Sequence, residues 1–303
     1  MDDEAGDGDL LAELAADLAE SVARRYRVDR ADAVELILAD WRRQPKLVEA
    51  VSRAGSVPAA QRLRAYRDAA AATKRGIYHQ LRRYRVQPAS FDDALRAMSA
   101  LEPGADPGLL GDAMLAVAAE HVSTAERLPH RDEFLAVLAD AVGGGRRVVD
   151  VGSGVLPLML PVGWLGAHGV AEYWALDKDP LAQEALRACA RIGADGRLRP
   201  LEWNLAAGWE PAFAAGLPRD CDLGILLKVV PIVARQSPEL LPVLAATPAN
   251  RLLISGSRIA MAKRQDIERR ERRAVTRFCA DFGFREEREF QTADEILLLA
   301  ERR

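Results

Sequence analysis

Cysteine is scarce in this chain of 303 residues. Its three cysteines, Cys189, Cys221 and Cys279, are odd in number and far apart, which excludes a disulfide framework. With no CxxC pair and only four scattered histidines, no zinc site is indicated either. Long hydrophobic runs are also missing: the apolar stretches at residues 155–165 and 223–227 are interrupted or too short to cross a bilayer. The first residues, MDDEAGDGD, are acidic rather than a basic secretory leader. The expectation is a cytoplasmic protein with no membrane partner. What is present is ordinary for a soluble protein, 49% hydrophobic and 29% charged, with a mean hydropathy of -0.11. The length suffices for an unaided core and suits two domains, or one α/β unit with an extension.

A net charge of -3 hides an uneven distribution. Residues 24–86 hold 16 Lys and Arg against 6 Asp and Glu, so the rest of the chain is acidic. A basic segment on an acidic body fits a protein that touches phosphate with one part and does chemistry with another. An Arg-rich solvated helical surface accounts for the same numbers, and the count alone does not separate the two.

Behind an expected acidic tail at residues 1–9, Leu10, Leu11, Leu14, Leu18 and Val22 recur at helical spacing. Val34, Leu36, Ile37, Leu38 and Trp41 predict a second helix, and residues 62–83 a third with a basic side. No strand pattern precedes residue 145 or so. The Pro/Gly-rich residues 102–111 suggest the break between a helical N-terminal domain (10–110) and a second domain (111–303). Strands are predicted at 147–151, 172–176, 198–203, 222–228, 251–255 and 295–300, mostly separated by helical stretches. That alternation implies an α/β fold, a doubly wound and mainly parallel Rossmann-like sheet with ligands at the carboxyl ends of its strands.

Within that half, Val148-Val149-Asp150-Val151-Gly152-Ser153-Gly154 puts a carboxylate at a strand end and two glycines in the turn after it. Glycine there lets backbone approach a ligand closely. The third glycine of a dinucleotide fingerprint is absent, which disfavours a pyrophosphate. The next strand ends in Asp177, placed to accept hydrogen bonds from both ribose hydroxyls. Together these suit an adenosine ligand without a diphosphate, chiefly S-adenosylmethionine (SAM). A tight turn with a surface aspartate is the plainer reading.

Several motifs in linked order extend this. His121-Val122-Ser123-Thr124-Ala125-Glu126-Arg127-Leu128 precedes the glycine turn, Leu156-Pro157-Leu158 follows it, and Asp177 precedes Leu226-Leu227-Lys228-Val229-Val230-Pro231. With Arg25-Tyr26-Arg27 and Asp40-Trp41-Arg42 at the helical start, they resemble the 16S rRNA guanine-N7 methyltransferases of aminoglycoside resistance, almost end to end. The resemblance implies a class I methyltransferase fold, SAM as cofactor, and the 30S subunit with its 16S rRNA as partner through the basic N-terminal domain. It implies that Arg127 clamps the SAM carboxylate, that Asp150, Gly152 and Gly154 shape the methionine pocket, with Leu227 beside them, and that Asp177 holds the ribose. Asn204 stands where that family has an aspartate beside adenine, and Trp203 either covers the adenine face or belongs to the core. Lys228 either contacts the target or snorkels.

After the fifth strand the likeness fades. Residues 255–264, SGSRIAMAKR, do not show the family's target-gripping loop, and residues 265–282 read as a charged helix burying Ile267, Ala274, Phe278 and Phe282. A second class therefore stays open: a small-molecule enzyme that keeps the SAM pocket, either a metabolite methyltransferase or a cyclase turning SAM into azetidine-2-carboxylate and methylthioadenosine, with the helical half as a lid. For the cyclase, Tyr78, Tyr173, Asn204 and Ser255 are the side chains that could orient the amine; across the readings the candidate catalytic side chains are Lys228, Asn204, Ser255 and Tyr173. A non-catalytic RNA-binding protein of the same fold is the third class.

Overall fold

The computed structural model describes residues 7–26, 30–80, 88–258 and 267–303. The chain forms two compact units, Met1–Tyr84 and Arg85–Arg303.

The first unit is helical: α1 (Asp7–Tyr26), α2 (Arg30–Trp41), α3 (Pro45–Ser52), α4 (Val57–Arg62) and α5 (Arg64–Gln80). In α1 the spacing of three and four buries Leu11, Leu14, Leu18 and Val22 as one stripe. Helix α1 begins at Asp7, inside the stretch expected to be an acidic tail; residues 1–6 lie outside the described ones. Trp41 ends α2 wholly buried. Its Nε1 donates to Thr73 Oγ1 at 2.8 Å, and its ring meets Tyr66 edge-on at 5.6 Å. A buried indole needs such a partner for its N–H.

Among the described residues the second unit carries seven strands: β1 (Arg147–Val151), β2 (Glu172–Asp177), β3 (Leu198–Glu202), β4 (Cys221–Leu227), β5 (Ala249–Ser257), β6 (Phe284–Gln291) and β7 (Glu295–Arg302). Their order is β3-β2-β1-β4-β5-β7-β6. β1 to β5 run parallel, and β7 inserts antiparallel between β5 and β6. The strand order reverses between β1 and β4, which opens a crevice at their carboxyl ends, the usual ligand position in such sheets. Strand alternation sorts the core into two layers. Val148, Tyr173, Leu223, Leu253 and Leu297 face one side. Val149, Trp174, Leu226, Leu252 and Leu298 face the other.

Three further sequence expectations differ from the structure. The units divide between Tyr84 and Arg85, not near residue 110. Helices α6 (Pro88–Ser99) and α7 (Pro107–Ala119) belong with the sheet, because Phe91, Leu95, Met98, Leu110 and Met114 share a core with Val148 and Tyr173. The Pro/Gly-rich turn between them is tied down by Gly104 N donating to Ile192 O at 2.8 Å. Strand β6 was not expected at all. Its sequence, FREEREFQ, is mostly exposed at the sheet edge, where charged residues guard unpaired backbone against other chains. The late helix spans Glu268–Asp281 and buries Glu271, Val275, Phe278 and Cys279; of the predicted stripe Phe278 is buried, while Ile267, Ala274 and Phe282 are half-buried.

Candidate cofactor and active site

The turn after β1 is built on two left-handed glycines, Gly152 (φ +71°) and Gly154 (φ +52°). A Cβ on Gly152 would lie 2.9 Å from Val229 Cγ2, and one on Gly154 2.8 Å from His121 Cε1. The protein's own packing therefore demands both glycines, whatever ligand approaches. Gly152 N and Ser153 N donate to Leu176 O at 2.8 and 3.1 Å, and Gly154 N donates to Asp177 Oδ2 at 2.8 Å. The other oxygen of Asp177 accepts from Asp179 N at 2.9 Å. Burial raises the Asp177 carboxyl above its ordinary range, and those backbone donors partly pull it back. Each carboxylate oxygen has more than one lone pair, so Asp177 can brace the turn and still accept a hydroxyl.

Asp150 is buried at the end of β1 and accepts from Tyr173 Oη at 2.8 Å. Burial pushes its carboxyl up to about 7, against the Tyr173 hydrogen bond and the Arg127 charge, which both favour the ionised form, while Asp177 adds to the rise. Burial and the neighbouring Asp150 push the Tyr173 phenol well above its usual value. Tyr173 is wholly buried, so among the catalytic candidates it supports Asp150 from beneath.

Arg127 lies in α8 (Val122–Arg127), ahead of α9 (Arg131–Val142). It is 4% exposed. Its Nε donates to Glu295 Oε1 at 2.6 Å, and its guanidinium sits 5.0 Å from the Phe134 ring centroid. Glu295, the first residue of β7, gathers three more partners. Ser255 Oγ donates to its Oε2 at 2.5 Å, Lys228 Nζ lies 3.4 Å from its Oε1, and Thr292 Oγ1 accepts from its backbone N at 3.2 Å. Burial opposes the Glu295 charge, but Arg127 and Lys228, with the Arg127 and Ser255 hydrogen bonds, hold the carboxyl down at about 2. Lys228 has a left-handed backbone (φ +61°), donates from its N to Ser255 Oγ at 3.0 Å, and pairs its Nζ with Glu126 Oε2 at 2.7 Å. Arg127, Asp150, Lys228 and Ser255 thus meet at the carboxyl ends of β1, β4 and β5, where Leu227 closes β4 as a buried side chain, and Tyr173, near the start of β2, reaches Asp150 through its hydroxyl.

Asn204 stays outside this cluster. It is exposed just past β3, and its Oδ1 accepts from Ala206 N at 3.0 Å, capping a short 3-10 turn. Trp203 is a core residue: its ring stacks on Trp209 at 4.6 Å and its Nε1 donates to Gly208 O at 2.8 Å. Sequence reasoning missed Glu295, Glu126 as the Lys228 partner, and His121 behind Gly154. Residues 259–266, Arg82, Arg83 and Arg85 lie outside the described residues, as does the Tyr78 side chain.

The residues fit a SAM-like ligand. A glycine turn, an acid at the end of the next strand and a buried arginine are the groups that a close backbone approach, a hydroxyl acceptor and a carboxylate clamp would require. Among the described residues no helix is long and apolar enough to cross a membrane.

A family model described as ribosomal RNA methyltransferase (FmrO) matches residues 46–277. The chain is 31% identical over 166 residues to a 16S rRNA (guanine(1405)-N(7))-methyltransferase of Frankia casuarinae, covering 54% of this chain and 55% of that protein. To the protein of the same description from Micromonospora rosea it is 29% identical over 222 residues, 69% of this chain and 73% of the relative. Among solved structures, the 16S rRNA methyltransferase RmtF in complex with S-adenosyl-L-homocysteine superposes with a TM-score of 0.59 at 21% identity, over 97% of this chain and 98% of that one. The 16S rRNA methylase RmtB gives 0.55 at 18%, over 95% and 98%. Both likenesses are of fold, and they agree with the class I arrangement read from the strand order.

Proposed function

Because the chain belongs to the ribosomal RNA methyltransferase (FmrO) family, we propose that it is a SAM-dependent enzyme that methylates 16S rRNA at a guanine N7. The family match carries this reading, since it encloses Arg127, Asp150, the glycine turn, Asp177, Lys228 and Ser255. It supports methyl transfer to RNA and not the ring-closing alternative.

When bound, SAM supplies an electrophilic methyl group on a sulfonium. Asp177 accepts the ribose hydroxyls, Arg127 takes the carboxylate, and the backbone at Gly152 and Gly154 lets the ligand lie close to β1. Asn204, with its Oδ1 already engaged, offers its amide nitrogen to adenine. Guanine N7 carries a lone pair and no proton, so no side chain has to act as a base. Alignment and exclusion of water do the work. In the helical unit Arg42, Lys46, Arg62 and Arg67 are exposed. They supply a salt-dependent attraction to rRNA phosphates. A ribosomal substrate places the enzyme in the cytoplasm.

Purified protein incubated with SAM and 30S subunits should release S-adenosylhomocysteine and leave N7-methylguanine in 16S rRNA. Methylthioadenosine formed without an acceptor, or no methylation of the subunits, overturns the reading. Arg127→Ala and Asp177→Ala should each weaken SAM binding about 10- to 100-fold, the worth of a hydrogen bond to a charged group. Calorimetry that finds both variants unchanged removes the site assignment.

A further inference from the structure

Arg127 alone does not explain why its guanidinium would face a ligand. A buried arginine has several rotamers, and an ion pair this deep is weak evidence for stability, because desolvating two charges offsets their attraction. The arrangement around it is more informative. Glu295 takes the Nε edge at 2.6 Å and Phe134 lies against the ring face. Among the described residues no hydrogen-bond partner takes the two terminal nitrogens. That end-on pair is the fork that grips a carboxylate with two parallel bonds.

Glu295 is itself held from several sides. Ser255 fixes its second oxygen, Thr292 bonds its backbone, and β7 pairs with β5 in the register Ser257↔Glu295. Because β7 runs against β5, its first residue sits at the carboxyl edge of the parallel strands, where the ligand crevice opens. The same carboxylate lies 3.4 Å from Lys228 Nζ, whose other partner is Glu126. One acid therefore sets the direction of two cations at the site.

We infer that Glu295 is the positioning residue that aims the free edge of Arg127 at the carboxylate of the amino-acid part of SAM. This rests on the SAM reading above and adds to it a residue contributed by the last strand. Glu295 acts through Arg127 and does not touch the donor. Its role is to spare the guanidinium a search through rotamers when the ligand arrives.

The test separates carboxylate recognition from general integrity. Calorimetry on the full chain compares SAM with decarboxylated SAM, which keeps the adenosyl sulfonium and the amine. Wild type should prefer SAM. Glu295→Gln, which keeps shape and an acceptor oxygen, should weaken SAM about tenfold while changing the decarboxylated ligand by less than about twofold. With Arg127→Ala in place, adding Glu295→Gln should change neither. Equal losses for both ligands, or additive losses in the double variant, overturn the positioning role and leave Glu295 as structural. Wild type that binds neither ligand overturns the SAM reading itself. Wild type that binds both equally removes the Arg127 clamp, and this inference with it.

Discussion

The helical unit and the sheet unit place their charges in opposite ways. In the helical unit the ion pairs Arg43–Asp40, Arg53–Glu49 and Arg64–Asp68 lie exposed along helices or at their ends, and the core is Leu, Ile, Ala, Val, Tyr and Trp. In the sheet unit the pair Arg127–Glu295 has side chains 5% and 1% exposed, with Asp150 and Lys228 near it. Exposed pairs contribute about 0–1 kcal/mol, whereas breaking a buried pair costs about 3–5 kcal/mol because a charge is stranded. One unit can thus change its charges with little effect on its fold, while the other has built charge into its core at the carboxyl edge of its sheet, where the proposed site lies.

The sharpest way to break that contrast is Glu295→Ala, which strands the Arg127 cation and leaves Lys228 with Glu126 alone. Urea melts should show a loss of about 3–5 kcal/mol. A loss below about 1 kcal/mol, the size of an exposed pair, would erase the distinction between the units.

A smaller effect with a defined sign comes from Asp150→Asn. The folded pKa of Asp150 is raised to about 7, so between the ordinary carboxylate range and pH 7 the native state binds the extra proton. Stability from this group falls as pH rises through that window. The asparagine variant should therefore match wild type near pH 4 and melt at a higher temperature near pH 8. Glu295 works in the other sense: its pKa is held down at about 2, and its contribution is lost as pH falls from the ordinary carboxylate range toward that value. Thermal melts across pH 4–8 that show no difference between wild type and Asp150→Asn would remove the buried-acid account.

The smallest effect on stability belongs to the helical unit. Replacing Arg42, Lys46, Arg62 and Arg67 together by Gln should change folding stability by under about 0.5 kcal/mol per site. The same change should weaken association with 30S subunits and flatten its salt dependence. Unchanged affinity and salt slope would leave these side chains as a solvated surface.

The sequence made parts of this legible for identifiable reasons. The run Val148-Val149-Asp150-Val151 reads as a buried strand because it is short and mostly β-branched apolar, and Gly152 and Gly154 announce a left-handed turn that side chains rarely adopt. The leucines of α1 give its buried face by spacing alone. Strand β6 was hidden because an edge strand needs only one paired side and can carry charges along most of its length. The division between units was hidden because α6 and α7 look like any other amphipathic helices until the face they cover is known.

By itself the sequence determined the alternation of strands and helices, the glycine turn, the acid at 177 and the family, since these rest on local periodicity and short motifs. Tertiary structure decided what Arg127 is paired with. Its partner Glu295 lies 168 residues away, at the start of a mostly apolar strand, where a glutamate gives no local signal. Only the antiparallel insertion of β7 beside β5 brings that acid to the carboxyl edge of the parallel strands, beside Arg127, and burial there leaves the two charges to each other rather than to water.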